Sequence, residues 1–576
     1  MDVIIMVLVF VSTILALVKF NQHAAAVFSA AFSVTFLFGF ISEQDVVASF
    51  TNSGLLVLIM LLLASVAIEK TSLIIWLTGK ISSKTYPLSW LKLMVTTILG
   101  SAFLNNTAVV STLIRPIRNN PKIAASRLLI PLSYAAILGG TLTLIGTSTN
   151  LIVNSMLIDE TGEGFRFFEF TKVGLVVIAI TSVVIFIVSY KLPDIKNASH
   201  KIQDYMIDTK LLAESSLIGK TVEEAGLRHL QSLFLVEIIR NNRTISPVTP
   251  KEVLEPTDRL LFSGDINQVS QLDHFDGLSI VVDATEVEFE NLTEVVIRPG
   301  SHIVGQTLKK VEFRSKFDAA AIAIKRDGES LRGKLGELTL KAGDFLVLVT
   351  GKDFNKRHNV KKNFITLSGL QPEQKLSGWR EFLAIGGFVG TILGAAIGAF
   401  SLFKGLAILL VLLMATGCLT SNDIKQRLAY NIWLIVGSAI ALSHGLQNTG
   451  TLDILIGWLN LSLNSENGLY VLISIYILTV LLTELVTNNA AAALMFPLAY
   501  SIATAGGYEP MTFILAVTFA ANTSFISPYS YQTNLMVFNA GQYRLLNFIK
   551  AGLPVSLTFS ISALAAIIYF YPLTVL

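Results

Sequence analysis

Two pairs of adjacent amides sit where amides are costly. Asn105-Asn106-Thr107 interrupts an apolar run from Leu91 to Ile114, and Asn488-Asn489-Ala490 interrupts one from Tyr470 to Ile502. At membrane depth a polar side chain is tolerated where it lines a protein cavity or binds something. Amide oxygens are hard ligands suited to an alkali cation, and backbone N–H groups at helix N-termini hold fixed partial positive charge for an anion. Each pair is followed, at almost the same spacing, by a second polar interruption. The first is Gly146-Thr147-Ser148-Thr149-Asn150; the second comprises Asn522-Thr523, Ser527-Pro528 and Gln532-Thr533-Asn534. This pattern assigns Asn106, Thr147 and Asn150 to one sodium ion and Asn489, Thr523 and Asn534 to another, with Thr107, Thr149 and Ser527 as neighbours. Neither amide tip contains Arg or Lys, so an anion held there would meet amides, hydroxyls and dipoles, with the cations supplying positive charge. Glu484, one turn ahead of the second pair, is placed to tune the site, to carry a proton or to serve as a structural partner.

The surrounding chain must hold these groups in a bilayer. Of 576 residues, 52% are hydrophobic and 14% charged, and the mean hydropathy is +0.64, which excludes an ordinary soluble globule. Well over half of the charged residues fall between Lys191 and Gly378; that interval reads as a soluble domain with balanced charge and no nucleic-acid surface. The single cysteine, Cys418, excludes an internal disulfide. Apolar runs near 3–18, 24–41 and 54–68 are each about one bilayer crossing, given roughly 20 residues per span. The start of the chain lacks a basic n-region and a small-residue cleavage site, so the first run reads as a retained span. Lys19, Lys70, Lys80 and Lys84 place the first and third junctions in the cytoplasm and the N-terminus outside. Basic residues flank both sides of the Trp90–Ile117 run, so a re-entrant hairpin with the amide pair at its tip is expected. The 128–158 run, broken at Gly139-Gly140-Thr141 and again at Gly146 to Asn150, reads as a discontinuous helix. The 159–172 loop then lies outside, and Val173–Tyr190 returns the chain to the cytoplasm.

After the charged interval the pattern recurs: crossings near 382–401, 405–418 and 429–447, an interfacial stretch at 452–463, a second hairpin, a second broken helix from Phe513 to Phe538 and a last span. An odd number of crossings in the first half makes the two halves inverted repeats, and paired broken helices point to a transporter's midplane site. The soluble interval is itself a duplication. Ser216 to Thr221 and Ser301 to Thr307 open matching units, each with an alternating strand (Leu233–Arg240, Ala319–Arg326) and a Gly/Asp-bounded strand (257–264, 342–349).

On these motifs the membrane halves resemble the divalent anion/sodium symporter family of the ion transporter superfamily. Its hairpin tips carry Ser-Asn-Thr, matched here by Asn105-Asn106-Thr107 and Asn488-Asn489-Ala490. The resemblance implies that these six residues contact a substrate anion, that 146–150 helps hold sodium, and that the protein is a homodimer. The soluble units resemble TrkA-C (RCK-C) domains, which implies a small regulatory ligand. The expected architecture is an α-helical polytopic membrane protein with repeats at 1–190 and 379–576 and two α+β domains at 191–280 and 281–378. The expected function is sodium-coupled transport of sulfate or a small dicarboxylate across the plasma (inner) membrane, with residues 191–378 cytoplasmic. Potassium transport, sodium/proton antiport and ligand reporting without flux are the alternatives. No nucleophile–base pair, phosphate loop or metal cluster marks an enzyme.

Overall fold

The computed structural model describes residues 1–20, 23–72, 85–118, 120, 123–194, 206–227, 230, 233–241, 243–245, 248–264, 272, 274–280, 292–298, 300–326, 329–331, 335–351, 353–354, 357–366, 376–452 and 468–574. The expected interfacial stretch at 452–463 lies, beyond its first residue, outside them. The chain divides into two compact units: Met1–Asp194 with Glu373–Phe538 and Leu545–Leu576, and Ile195–Pro372 with Asn539–Arg544. Residues 1–190 and 379–576, read from sequence as separate repeats, thus belong to one unit apart from Asn539–Arg544.

The described residues of the first half form nine helices: α1 Asp2–Lys19, α2 Ala24–Leu37, α3 Glu43–Thr51, α4 Ser53–Glu69, α5 Tyr86–Phe103, α6 Asn106–Arg118, α7 Leu129–Gly140, α8 Ser148–Thr161 and α9 Thr171–Tyr190. The second half repeats the order: α10 Trp379–Ala396, α11 Leu402–Ala415, α12 Ser421–Arg427, α13 Tyr430–Asn448, α14 Gly468–Leu485, α15 Asn488–Ala505, α16 Pro510–Ala521, α17 Gln532–Ala540 and α18 Leu545–Phe570. The correspondence reaches the caps. Short α3 starts with a capping box of Ser42 and Asp45, and short α12 with one of Thr420 and Asp423, each satisfying first-turn N–H groups. Neither short helix was expected.

Five helical stretches among the described residues are long and apolar enough to cross a membrane: Asp2–Lys19, Glu43–Glu69, Thr171–Tyr190, Gly468–Leu485 and Leu545–Phe570. Helices α2 and α11, at 14 residues each, are about 21 Å long at 1.5 Å per residue, less than a hydrocarbon core of about 30 Å. The three crossings expected near 382–401, 405–418 and 429–447 correspond to α10, α11 and α13, none of which is among the five.

The helices pack as two groups. In one, α5 and α6 lie on α7, α7 on α9, α9 on α18, α18 on α16, and α16 on α14, α15 and α8. In the other, α2 and α3 lie on α13, α1 on α2, and α11 on α4 and α10. The joints between groups are α4 on α8, and α13 on α8 and α15. Both amide tips and both broken helices fall in the first group. Its backbones approach closely where side chains are absent: a Cβ on Gly174 of α9 would lie 2.8 Å from the Thr141 carbonyl, and one on Gly552 of α18 would strike the Phe525 carbonyl. These glycines let the last helix of each half press on that half's broken segment.

The second unit holds two antiparallel five-stranded sheets. One contains β1 Met206–Leu211, β2 Leu233–Arg240, β3 Arg243–Ile245, β4 Arg259–Gly264 and β5 Leu278–Ile280 in the order β3-β2-β4-β1-β5. The other contains β6 Leu292–Ile297, β7 Ala319–Arg326, β8 Glu329–Ser330, β9 Phe345–Thr350 and β10 Phe364–Thr366 in the order β10-β6-β9-β7-β8, the same topology read from the other edge. Matching bulges at Leu235/Glu237 and Ala321/Ala323 turn Val236 and Ile322 out of register. Those two residues join Leu261, Ala320 and Val349 in a small apolar cluster between the sheets. Each sheet carries the same ion pair: Arg240 on Asp258, and Arg326 on Asp344, 18 residues apart in both cases, with the arginine also donating to the carbonyl of Val253 or Thr339. Asp258 raises the Arg240 guanidinium above its usual value, against the opposing effect of burial.

Candidate functional site

Each amide tip is a helix N-terminus. The Asn105 side chain accepts from the Thr107 amide at 2.9 Å and its carbonyl opens α6; the Thr487 hydroxyl accepts from the Ala490 amide at 3.4 Å and its carbonyl opens α15. Both are N-caps, which satisfy first-turn donors that would otherwise be buried unpaired. The equivalent triplets are therefore Asn105-Asn106-Thr107 and Thr487-Asn488-Asn489, which moves the second tip one residue from the sequence assignment. Ala490, expected to touch substrate, is fully buried in the first turn of α15, with its amide on Thr487.

Both breaks are irregular backbone, the first, 141–147 between α7 and α8, buried throughout and the second, 522–531 between α16 and α17, buried except around Ile526, Ser527, Tyr529 and Tyr531. Such backbone must be satisfied from within the protein. An asparagine does this in each half. Asn150 Nδ2 donates to the carbonyls of Gly140 (3.1 Å) and Thr143 (2.9 Å), ten and seven residues back. Asn534 Nδ2 donates to those of Ser524 (2.8 Å) and Ser527 (3.4 Å), again ten and seven back. Their oxygens are also engaged: Asn150 Oδ1 accepts from Asn522 Nδ2 at 2.9 Å, and Asn534 Oδ1 from the Ser133 hydroxyl at 2.7 Å. Thr523, a third expected ligand, donates to the Phe519 carbonyl at 3.0 Å and lies 3.3 Å from the Tyr476 hydroxyl. The polar groups expected to hold sodium at these positions tie the breaks together.

The tips reach across to the opposite breaks. Asn106 Nδ2 donates to the Tyr531 hydroxyl at 2.7 Å, and the Thr107 hydroxyl to Gln532 Oε1 at 3.3 Å. Reciprocally, Asn489 Oδ1 accepts from the hydroxyls of Ser148 (3.0 Å) and Thr149 (3.2 Å), while Asn488 Nδ2 donates to Thr149 (2.8 Å). Asn106 is only 4% exposed, and its Oδ1 has no hydrogen-bond partner; Thr147 Oγ1, at a buried residue of the facing break, has none either. Gly140 forms the wall beside them, since a Cβ there would lie 3.0 Å from Asn106 Nδ2 and 3.4 Å from both the Gly146 carbonyl and Thr147 Cβ. Two unpartnered buried oxygens next to a close-packed loop carbonyl suit a bare cation. Glu484, in the last turn of α14, accepts three backbone hydrogen bonds from the second break. Tyr531 and Gln532 escaped the sequence reading as contacts because, beside Ser527-Pro528, they read as turn residues.

The chain as a whole has relatives. A family described as citrate transporter matches residues 6–520. An uncharacterized transporter of Synechocystis is 30% identical over 565 residues, 93% of this chain and 92% of its own. A putative sulfur deprivation response regulator of Chlamydomonas reinhardtii is 27% identical over 95% of this chain and 98% of its own. Sodium/sulfate cotransporter 2 of the same alga is 28% identical over 61% of this chain and 41% of its own.

Proposed function

Since the chain belongs to the citrate transporter family and so to a family of membrane transporters rather than enzymes, we propose that it is a sodium-coupled symporter for a small divalent oxyanion, sulfate ahead of a dicarboxylate. The observation that carries this is the reciprocal crossing of tips and breaks. Asn106 and Thr107 on Tyr531 and Gln532, with Asn489 on Ser148 and Thr149, bring two helix N-termini and their hydroxyl and amide donors to one place. Helix N-termini stabilise an anion through exposed N–H groups and the axial dipole. Neither tip carries an Arg fork to match a multiply charged carboxylate, which favours a compact oxyanion whose charge is offset by the co-transported cation. The similarity to an algal sodium/sulfate cotransporter points the same way.

Sodium is the co-substrate. Asn106 Oδ1 and Thr147 Oγ1, the two unpartnered oxygens, are its ligands in the first half, and Asn488, the middle residue of the second triplet, is the counterpart of Asn106 in the second. Asn150 and Asn534 act as clamps that shape the loop carbonyls rather than as ligands. The two halves are inverted repeats, each tip re-entrant, and alternating access moves the tip-bearing helix group against the other. The paired sheets of Ile195–Pro372 are TrkA-C-like sensors on the cytoplasmic side of the plasma membrane.

Uptake into proteoliposomes of labelled sulfate, succinate, citrate and potassium, with and without an inward sodium gradient, tests the proposal. Sodium-dependent sulfate uptake is expected. Potassium flux without anion flux, or anion uptake indifferent to sodium, overturns it.

A further inference from the structure

The tip and break segments contain one carboxylate, Glu484, and the architecture described so far gives it no task. Its surroundings define one. Glu484 Oε1 accepts from the backbone amides of Phe525 (3.0 Å) and Ile526 (2.9 Å), and Oε2 from that of Ser527 (2.9 Å). Three successive N–H groups thus converge on one side chain. A nest of this kind is an anion site made of backbone, and here the anion is part of the chain.

We propose that Glu484 is a permanently ionised positioning residue that fixes the second tip to the second break, so that both substrate-facing elements of that half move as one body. The inference rests on the transport reading above and adds a role to a residue that contacts neither anion nor sodium.

Geometry and chemistry both favour the charged form. Three donors aimed at one small volume need three acceptor positions. An ionised carboxylate offers about four, whereas a protonated acid would turn one oxygen into an O–H donor against N–H donors. Bonds to an ionised acceptor are also about twice as strong as neutral ones, which matters where no water replaces them. Proton carriage, one role the sequence suggested, would release the nest at every protonation.

The rest of the break is held by neutral groups from other directions. Asn534 takes the carbonyls of Ser524 and Ser527, Tyr134 donates to the Phe525 carbonyl at 2.9 Å, and Gly552 admits that carbonyl against α18. Glu484 comes from the helix that leads into the tip: it lies on α14, three residues ahead of the N-cap Thr487, and the Tyr476 hydroxyl of the same helix adds a neutral contact to Thr523. Beside it, the Thr483 hydroxyl donates to the Ala521 carbonyl, where α16 ends, at 2.8 Å. In the first half the Thr143 hydroxyl ties the break to the Ala102 carbonyl at the end of the helix leading into the tip, a neutral contact. The charge belongs to the half whose break is longer, 522–531 against 141–147, and which therefore has more backbone N–H to satisfy.

The test uses the full-length protein in proteoliposomes, with labelled sulfate as the probe. Glu484→Gln keeps the shape but removes one acceptor oxygen and the charge. Sulfate kcat/KM is expected to fall roughly a hundredfold, the scale of a misplacement of about 1 Å at a reacting centre, with KM carrying part of the loss. The sodium-to-sulfate ratio and the shape of the pH profile should stay those of the parent. Hydrogen exchange at the 522–531 segment should accelerate in the variant, and Glu484→Asp, which keeps the charge, should restore part of both readouts. Parent-like uptake in Glu484→Gln overturns the proposal, as does a pH dependence present in the parent and absent from the variant, which would make Glu484 a proton carrier. Should Glu484→Gln fail to fold, exchange and uptake in Glu484→Asp decide alone, and unchanged values in both would sink the idea. A parent that carries no sulfate fails the transport reading instead, and the exchange measurement still judges the nest.

Discussion

Asn106 and Tyr531, 425 residues apart in the chain, meet through a 2.7 Å hydrogen bond from amide to phenol. The contact joins the first tip to the second break, and it leaves Asn106 Oδ1 as the buried oxygen with nothing to accept from. The bond therefore orients the amide: with Nδ2 committed to Tyr531, the oxygen is the atom left open as an acceptor.

Removing the phenol should loosen that orientation without opening a hole. Tyr531→Phe forfeits one hydrogen bond, whose net value is about 0.5–1.5 kcal/mol. A two- to tenfold rise in the sodium concentration for half-maximal uptake, roughly what that energy converts to, is expected. Sodium titration of sulfate uptake at equal expression checks it, and an unchanged sodium dependence would remove Asn106 from the cation's coordination.

The asparagine clamps predict a larger loss. In Asn150→Asp and Asn534→Asp the two amide hydrogens that hold the loop carbonyls become an acceptor facing acceptors. Each buried carbonyl left unpaired costs about 1–3 kcal/mol. Both variants should lose sulfate uptake and melt at a lower temperature in detergent. Retention of uptake with a raised sodium requirement would instead return these residues to the role of ligands.

Much of this site could be read in the sequence, and the exceptions have physical causes. Paired amides in apolar runs marked both tips, and the glycine and threonine clusters marked both breaks, because polar and helix-breaking residues are expensive there. The register of the second tip slipped by one since Asn488-Asn489 imitates Asn105-Asn106, while the real equivalence lies in the N-caps, Asn105 and Thr487. Asn150 and Asn534 were cast as ligands because nothing local reveals that Asn522, 372 residues on, and Ser133, 401 residues back, occupy their oxygens. In the second unit, period-two alternation located β2 and β7 to the residue, yet the bulges that make the joint apolar cluster leave no mark in that pattern.

The repeated ion pair of the sheets offers a test away from the membrane. Asp344 is fully buried under Arg326, its bonds running from the guanidinium Nε and Nη2 and from the Lys341 amide at 2.7 Å. Arg326→Met strands that carboxylate, at a cost of about 3–5 kcal/mol for a buried pair broken on one side. Hydrogen exchange in the full chain should speed up across β7 and β9, and the double variant Arg326→Met with Asp344→Leu should regain much of the protection. Equal protection in parent and single variant would show that Lys341 and the neighbouring backbone suffice.

A pH-dependent prediction follows from Lys70 and Asp423, which pair the end of α4 with the capping box of α12. Burial pushes the Asp423 carboxyl up, but the hydrogen bonds from Lys70 and Thr420 outweigh it and leave the group below its ordinary range. A carboxyl depressed in the folded state contributes stability that is fully present above its unfolded pKa and lost as pH falls through the folded value. At neutral pH, Asp423→Asn should therefore lower the melting temperature, by the equivalent of about 1 kcal/mol for a partly exposed pair. The gap between parent and variant should close on acidification below the ordinary carboxylate range, because the parent then loses the same charge. Melting curves of both proteins across that range give the answer: a gap that persists in acid would mean that the asparagine disturbs the cap itself and that the ion pair contributes little.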